Sequence, residues 1–460
     1  MAQKLSYRDH TKSILGLGLP LVGSHVAQFA ITLTDGIMLG RYSVEALAAE
    51  VLGGTMFFIF FIVGSGFAWA VMPMVASAEA RGEHAQVRRV TRMGAWASLL
   101  FAVAVIPVMY FSEPLFRLLG QDEEVSRDAA IYLSIVGFGT LPALLVMVLK
   151  SYLAALERTQ VVLWVTLLAV GLNILVNYAL IYGNWGAPEM GIRGAAIASL
   201  VVTTASLLAL MVYVAKVTPE HTLFTRFWRP DWEAFGQVFR LGWPIGLTNL
   251  AEVGLFAAST MMMGWLGTVP LAAHGIAMQV ASLIFMVHLG LSNAATVRAG
   301  HAFGLQDRQD LVDGAKVVLC LSGAFALLTV LAFLLVPEWM IKLFLNPEEP
   351  QRAAVIAVGV GLLAAAGMFQ LMDAAQVMAL GLLRGVQDTR VPMIIAAVSY
   401  WGVGIPSSYI LGFTLGLGGI GIWLGLAVGL ACAAILLLVR FWGWSVREVG
   451  HATAPPASSF

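Results

Sequence analysis

Charged residues are scarce in this 460-residue sequence, and their scarcity excludes an ordinary water-soluble protein. Only 11% of the residues are charged, whereas 59% are hydrophobic; a typical soluble domain has about 25% charged residues. So few charges cannot cover the surface of a protein in water, so we expect lipid to surround it. The 26 basic and 26 acidic residues balance, so the charge gives no indication of a nucleic acid or an acidic partner.

Cysteine and the common nucleotide and metal motifs are also missing. The two cysteines, Cys320 and Cys432, lie inside apolar runs, which suits packing better than a disulfide framework or a zinc site. The sequence contains no P-loop and no HExxH motif, so we predict that the protein is not an enzyme, has no cofactor and draws energy from an ion gradient. Residues 1–12 lack the pattern of a secretory signal.

Long apolar runs are abundant instead. About 20 apolar residues in a helix cross a hydrocarbon core of about 30 Å, and a membrane β-barrel would alternate polar and apolar positions. The runs are apolar on all sides, so we predict an all-α integral membrane protein with twelve transmembrane helices. They are predicted at residues 13–39, 46–76, 93–112, 130–155, 161–183, 192–215, 238–265, 271–298, 314–337, 352–380, 391–413 and 418–440.

Basic residues predict the orientation of these helices. Lysine and arginine concentrate in the segments that would lie on the same side as the N terminus, such as residues 81–92 and 216–240. Because basic residues favour the cytoplasmic side, we expect both termini to be cytoplasmic and the protein to lie in the plasma membrane, which in a bacterium is the inner membrane.

The two halves of the sequence repeat one another at a single offset. The clearest matches are Leu17, Gly18, Pro20, Met38 and Gly40 with Leu241, Gly242, Pro244, Met262 and Gly264. Six helices separate matching positions, so the repeats should run in parallel. We predict an N-terminal six-helix bundle (1–215), a cytoplasmic linker (216–240) and a C-terminal bundle with a short cytoplasmic tail (241–460), arranged with pseudo-symmetry around a central cavity.

Three carboxylates stand out away from the starts of the apolar runs: Asp35 in the first, Glu252 in the seventh and Asp373 in the tenth. An ionisable group near the middle of a membrane costs about 2.5–3.5 kcal/mol, so each acid needs a counter-charge or a function. Away from the ends of the predicted runs, the only basic residue is Lys150, which cannot neutralise all three. We therefore predict that the three acids are functional.

Each acid belongs to a row of polar residues at helical spacing. The rows are His25, Gln28, Thr32 and Asp35; Asn249, Glu252 and Ser259; and Gln370, Asp373 and Gln376. Residues three or four apart share one face of a helix, so these faces should contact protein or water. At the positions of the N-terminal half that are equivalent to Glu252 and Asp373, the repeat has no acid. The two extra acids predict a cation or proton site between the seventh and tenth helices of the C-terminal half.

Other polar and aromatic residues are weaker candidates. Asn173 and Asn177 could line a cavity or hold two helices together, and Phe285 could contact a cation through its ring face. Arg384 and Asp388 could form a salt bridge at the helix end or take part directly in transport. The predicted cavity lining consists of Gln28, Asn173, Asn177, Asn249, Phe285 and Gln376.

Several short stretches, spread over nearly the whole chain, match one known family. They are Thr34-Asp35-Gly36-Ile37-Met38-Leu39-Gly40-Arg41, Leu47-Ala48-Ala49, Ala272-Ala273-His274, Met372-Asp373-Ala374-Ala375-Gln376 with Leu383-Arg384-Gly385, and Ser399-Tyr400-Trp401 through Gly404-Ile405-Pro406. On these residues the chain resembles the multidrug and toxic compound extrusion (MATE) family, and most closely its NorM-like branch.

The resemblance implies an antiporter that exports cationic, amphipathic compounds such as drugs and dyes, in exchange for Na⁺ or H⁺, and thereby confers antibiotic resistance. It implies that Glu252 and Asp373 hold the coupling cation, as Na⁺ ligands if sodium drives transport, that Asp35 is an essential acid, and that Asp388 contributes. We expect membrane lipids and small organic cations as partners, no nucleic acid, and a monomer.

Two other functions compete with the antiporter. A flippase for lipid-linked saccharides would need cationic residues for the diphosphate, and Lys150 alone is a poor supply. A channel would not need two repeated halves in one chain, which favour alternating access by rocking over a fixed pore.

Overall fold

The computed structural model describes residues 5–450, and within this range all regular secondary structure is helical. Twelve helices are long and apolar enough to cross a membrane, which confirms the predicted fold class. Residues 1–4 of the predicted N-terminal bundle and residues 451–460 of the predicted tail lie outside the described range.

The twelve helices are longer than the apolar runs that predicted them. They are α1 Tyr7–Tyr42, α2 Val44–Ala80, α3 His84–Tyr110, α4 Glu123–Ala155, α5 Thr159–Tyr182, α6 Ile192–Val217, α7 Trp232–Leu266, α8 Thr268–Gly304, α9 Arg308–Leu335, α10 Arg352–Gly385, α11 Arg390–Thr414 and α12 Gly418–Glu448. Shorter helical segments lie between them at Glu113–Leu118, Asn184–Gly186, Pro219–His221 and Pro337–Lys342.

Local sequence explains where several helices begin and end. The side chain of Ser43 accepts a hydrogen bond of 2.9 Å from the backbone N–H of Ala46 at the start of α2, and Asp307 accepts one of 3.0 Å from Asp310 at the start of α9. Such caps satisfy N–H groups that have no partner within the helix. Gly183, with φ of 70°, ends α5 in the left-handed conformation that glycine adopts readily.

Three of the twelve helices contain irregular turns. A 3₁₀ turn at Gly137–Gly139 interrupts α4, and π-helical turns occur in α11 at Val398–Gly404 and Ile410–Thr414 and in α12 at Phe441–Ser445. A π turn changes the direction of the side chains that follow it and is often found at functional positions. The first of these turns in α11 contains Tyr400, which belongs to the site described below.

By their contacts, the residues divide into two compact units whose boundaries fall inside helices. The C-terminal unit comprises the chain up to Val22 and from Leu247 onward, and the N-terminal unit comprises Gly23–Gly246. The linker between α6 and α7 therefore belongs to the N-terminal unit. Each boundary follows a proline of the sequence repeat, Pro20 in α1 or Pro244 in α7, where the helix lacks one backbone hydrogen bond.

At one pair of positions related by the repeat, each unit has a helix crossing in which two backbones meet at glycine. In the N-terminal unit, a Cβ atom added to Gly66 of α2 would collide with the backbone of Gly242 and Gly246 in α7. In the C-terminal unit, a Cβ on Gly290 of α8 would lie 2.6 Å from the backbone nitrogen of Val22 in α1. Gly66 and Gly290 are equivalent positions of the repeat, so the same close crossing, of a kind that small residues permit in membranes, occurs twice.

Arginines of α3 hold the linker against the N-terminal unit. Arg92 donates a hydrogen bond of 2.6 Å to the carbonyl of Leu223, and Arg89 forms a salt bridge with Asp231. The hydrogen bond from Arg89 holds the pKa of Asp231 below its usual value. Because side-chain and backbone groups both take part, the linker is docked along much of its length.

At the glycine crossings, we expect the addition of one methyl group to lower the stability of the protein. We expect Gly66→Ala and Gly290→Ala each to destabilise the protein by about 1–3 kcal/mol, the usual effect of overpacking. Gly16→Ala in α1 is a matched control, because its Cβ would meet no atom within 4 Å, and it should be neutral or slightly stabilising. Thermal unfolding in detergent, followed by tryptophan fluorescence, measures this; equal melting temperatures for all three variants would contradict it.

Candidate functional site

The polar row of α10 is buried within the C-terminal unit. Gln370 and Gln376 are fully buried, and Asp373 is 2% exposed. α10 packs against α8, α9 and α12, so this row faces protein, as its spacing predicts. Oδ1 of Asp373 and Oε1 of Gln376 are buried, and neither has a hydrogen-bond partner within residues 5–450.

Glu252 of α7, which is half-buried, belongs to the same group. It lies close enough to Asp373 and to Arg384 for their charges to interact, and its Oε1 is buried without a hydrogen-bond partner among the described residues. Arg384 also donates a hydrogen bond of 2.9 Å to Oδ1 of Asn249, one turn before Glu252. The structure therefore brings together the two C-terminal acids, as predicted from sequence.

Tyr400 completes this group from α11. Its side chain is fully buried, its hydroxyl accepts a hydrogen bond from Nε2 of Gln376, and it interacts electrostatically with both acids. We call the whole set the Glu252–Asp373 cluster. It comprises Asn249, Glu252, Asp373, Gln376, Arg384 and Tyr400.

Arg384 corrects one sequence prediction. The tenth apolar run was predicted to end at residue 380, which left Lys150 as the only base within a span. That prediction is wrong, because α10 continues to Gly385 and carries Arg384 into the Glu252–Asp373 cluster. The cluster has two carboxylates and one guanidinium, so one acid has no counter-charge within it when all three groups are ionised.

The N-terminal acid has a different environment. Asp35 is 7% exposed, and its Oδ1 accepts hydrogen bonds of 3.0 Å from Asn173 and 2.5 Å from Asn177, both in α5. The two asparagines thus join α5 to α1, which was one of the two roles predicted for them. Here neutral amides rather than a base stabilise the carboxylate.

Glu50 of α2 is an acid that the sequence analysis missed. It is half-buried and interacts electrostatically with Asp35 and with the buried Tyr132. Its position near the start of an apolar run made it resemble an ordinary helix end. The sequence repeat carried a usable signal, because Leu47-Ala48-Ala49-Glu50 corresponds to Leu271-Ala272-Ala273-His274, and His274 is also buried.

The remaining predicted residues lie elsewhere. Asp388 is bound by Arg440, whose Nε lies 2.9 Å from Oδ2 of Asp388, and by Ser445 at 3.4 Å; the salt bridge predicted as one alternative for Asp388 therefore exists, but with Arg440 instead of Arg384. Gln28 is exposed on α1, and Phe285 is half-buried on α8. A cavity-lining role for these two residues stays a prediction.

The fold and these buried acids define a helical protein of the membrane-transport type, and comparison with known proteins identifies its family. The family model described as MatE matches residues 20–179 and 244–410, so the chain belongs to the MatE family. Because members of this family are transporters, the chain is a multi-pass membrane transport protein and not an enzyme.

Individual relatives are similar over nearly their whole length. The chain is 44% identical over 449 residues to the probable multidrug resistance protein NorM of Agrobacterium fabrum, covering 97% of each. It is 35% identical to the multidrug resistance protein NorM of Burkholderia vietnamiensis, covering 95% of this chain and 94% of that protein. An outward-facing structure of a multidrug resistance MATE family transporter matches with a TM-score of 0.86 at 20% identity, covering 97% of each chain, which shows a shared fold.

The amides around Asp35 generate a stability prediction. Asn177→Ala removes a donor to a buried carboxylate and should destabilise the protein by about 1–3 kcal/mol. Asn184→Ala is a suitable control, because Asn184 lies in the short segment after α5 and its bond of 3.3 Å to the Tyr178 carbonyl is exposed; it should change stability by about 0.5 kcal/mol or less. Thermal unfolding of both purified variants tests the difference, and a wild-type melting temperature for Asn177→Ala would refute it.

Proposed function

We propose that this protein exports small organic cations, such as drugs and dyes, across the plasma membrane in exchange for Na⁺ or H⁺ by alternating access. Its relatives of 35–44% identity are described as multidrug resistance proteins. The observation that carries the coupling proposal is the charge of the Glu252–Asp373 cluster, in which the half-buried Glu252 and the buried Asp373 share one arginine.

One acid of the cluster has no counter-charge when all three charged groups are ionised. Burying an unpaired charge costs several kcal/mol even after the protein relaxes around it. Arg384 interacts with Glu252, whereas Asp373 interacts with the negative charge of Glu252. One proton or one monovalent cation would make the cluster neutral, so binding such an ion is strongly favoured there.

The donor atoms of the cluster suit both kinds of ion. Oxygens of Asp373, Gln376 and Glu252 are buried without hydrogen-bond partners among residues 5–450, and hard cations prefer oxygen ligands. In a sodium-coupled exporter, Glu252 and Asp373 would be the main Na⁺ ligands. In a proton-coupled exporter, the same acids would carry the proton.

Transport also requires that ion occupancy differ between two conformations, since an ion with equal affinity for both cannot shift their populations. We propose that the two repeated halves rock around a central cavity, with both termini on the cytoplasmic side. The transporter would act as a monomer among membrane lipids, without a nucleic acid partner and without a cofactor other than the coupling ion.

The free energy stored in the ion gradient determines how many ions each transport cycle needs. A tenfold concentration ratio supplies about 1.4 kcal/mol per ion, and a membrane potential adds about 2.3 kcal/mol per charge per 100 mV. Exchange of one monovalent drug for one monovalent ion moves no net charge and uses only the concentration term. Strong accumulation would therefore need more than one ion per cycle, and Asp35 offers a further acid for it.

The flippase alternative has less support. It needs free cationic side chains, but Arg384 donates a hydrogen bond to Asn249 and interacts electrostatically with Glu252, and Lys150 donates a hydrogen bond of 2.9 Å to Thr166. Counterflow in proteoliposomes separates the exporter from a channel, because only a carrier is stimulated by substrate on the opposite side.

Substitution of the cluster acids tests the coupling proposal. Asp373→Asn and Glu252→Gln should each abolish ion-driven dye efflux from vesicles, because each removes the negative charge that binds the ion. Glu338→Gln is the matched control, since Glu338 is an exposed acid paired with Lys342 at 2.8 Å, and it should pump normally. Imposing sodium and proton gradients separately identifies the coupling ion; normal efflux by both cluster variants, with melting temperatures near that of the wild type, would disprove the assignment.

Substitution of Asp388 and of its partner Arg440 tests whether Asp388 acts through their salt bridge or in the ion pathway. If its main role is the salt bridge with Arg440, Asp388→Asn and Arg440→Gln should reduce efflux by similar, partial amounts. The double variant should then resemble either single one, because the two residues form one interaction. Loss of coupling in Asp388→Asn alone, with Arg440→Gln active, would instead place Asp388 in the ion pathway.

A further inference from the structure

Three metal-binding side chains meet where α2, α3 and the linker come together in the N-terminal unit. Glu79 lies in the last turn of α2, His84 begins α3 and His221 lies in the short helix Pro219–His221 of the linker. Nδ1 of His84 is 3.0 Å from Nε2 of His221, and Oε2 of Glu79 is 3.9 Å and 3.5 Å from these nitrogens. The cluster is separate from both acid sites described above.

We propose that Glu79, His84 and His221 form a binding site for a divalent transition metal of the Zn²⁺ type. By the geometry of a triangle with these three sides, a point about 2.0 Å from all three atoms exists, and Zn²⁺ bonds to nitrogen and oxygen measure about 2.0–2.2 Å. Two imidazoles and one carboxylate are a donor set that zinc uses in proteins, with a fourth position open to water.

A chain of hydrogen bonds fixes His221 in the form that binds metal. The Thr218 hydroxyl donates to the carbonyl of Val214 at 2.9 Å, so it accepts the hydrogen bond of 3.0 Å from the Tyr152 hydroxyl. The Tyr152 oxygen must then accept from Nδ1–H of His221. Nε2 of His221 is left with a lone pair directed at His84 and Glu79, and such a second hydrogen bond is what commonly orients a metal-bound histidine.

The other two ligands leave room for an ion to be exchanged with solvent. His84 is more than half exposed, with 54% of its side chain accessible, so its ring can place its proton on the outer nitrogen and offer Nδ1 to a metal. Oε2 of Glu79 is shielded from solvent and has no short hydrogen bond within the described residues. A cation would satisfy this oxygen, which otherwise lies 3.5 Å from His221, too far for a strong bond.

A bound metal would fasten the linker to the end of α2 and the start of α3. The arginines of α3 already hold the following part of the linker, and His221 is the linker residue that enters the cluster. Metal occupancy should therefore reduce opening of the linker and slow cleavage at the exposed trypsin site after Arg226.

Calorimetric titration of the detergent-purified, tag-free chain with Zn²⁺ tests the site, with Co²⁺ as a spectroscopic probe of tetrahedral ligation. The wild type should bind one equivalent, and His84→Gln and Glu79→Gln should each bind at least about tenfold more weakly. Glu83→Gln is the control, because Glu83 is a nearby acid held by Arg81 at 2.9 Å, and it should bind like the wild type. No stoichiometric binding, or equal binding by His84→Gln and the wild type, would overturn the proposal.

Two further measurements separate ligation from folding. His84 is exposed, so His84→Gln should keep the melting temperature of the metal-free wild type, and Tyr152→Phe should weaken Zn²⁺ binding through the loss of the acceptor that orients His221. Zn²⁺ should slow tryptic cleavage of the linker in the wild type and not in His84→Gln. Equal protection of both proteins would show that the ion acts elsewhere and would count against the site.

Discussion

A negative charge buried in a membrane span must be neutralised locally, and the C-terminal unit is organised around this constraint. Glu252, Asp373 and Arg384 come from two helices and form a group with two negative charges and one positive charge. Replacing the acids by apolar residues would remove the constraint and the sensitivity to ions together. In the proposed exporter, this group is electrically neutral only while a proton or a metal ion is bound, so binding and release of the ion can shift the balance between two conformations.

Asp35 faces the same constraint and meets it differently. Its oxygen accepts hydrogen bonds from two neutral amides, which stabilise a charge without cancelling it. The half-buried Glu50 nearby adds a second negative charge, so the N-terminal acids also form a pair, but one without an arginine. The two halves thus share a helical framework and a backbone crossing at glycine, while their polar side chains have diverged.

The sequence predicted the positions of the three acids well, because spacing along a single helix decides which residues share a face. Helical spacing placed Asp373 and Gln376 on one face of a helix. The repeat has no acid at the positions equivalent to Glu252 and Asp373, and this difference predicted that the two acids form one site. Spacing could not reveal partners contributed by other helices, such as Tyr400 for Gln376 or Arg440 for Asp388. Arg384 was misplaced because hydropathy ends a helix where polar residues begin, although a polar residue on a buried face can continue it.

The repeat also explains why α7 connects distant features of the chain. Gly242 and Gly246 pack against α2 in the N-terminal unit, and Glu252, less than two turns later, lies in the acid cluster of the C-terminal unit. Pro244 lies between Gly242 and Gly246 and cannot donate a helix hydrogen bond. Bending the helix therefore costs less free energy there than at a turn with all its hydrogen bonds. α1 repeats this arrangement, because Pro20 precedes the boundary after Val22 and Asp35 follows it in the other unit, so in both helices a proline lies just ahead of the boundary.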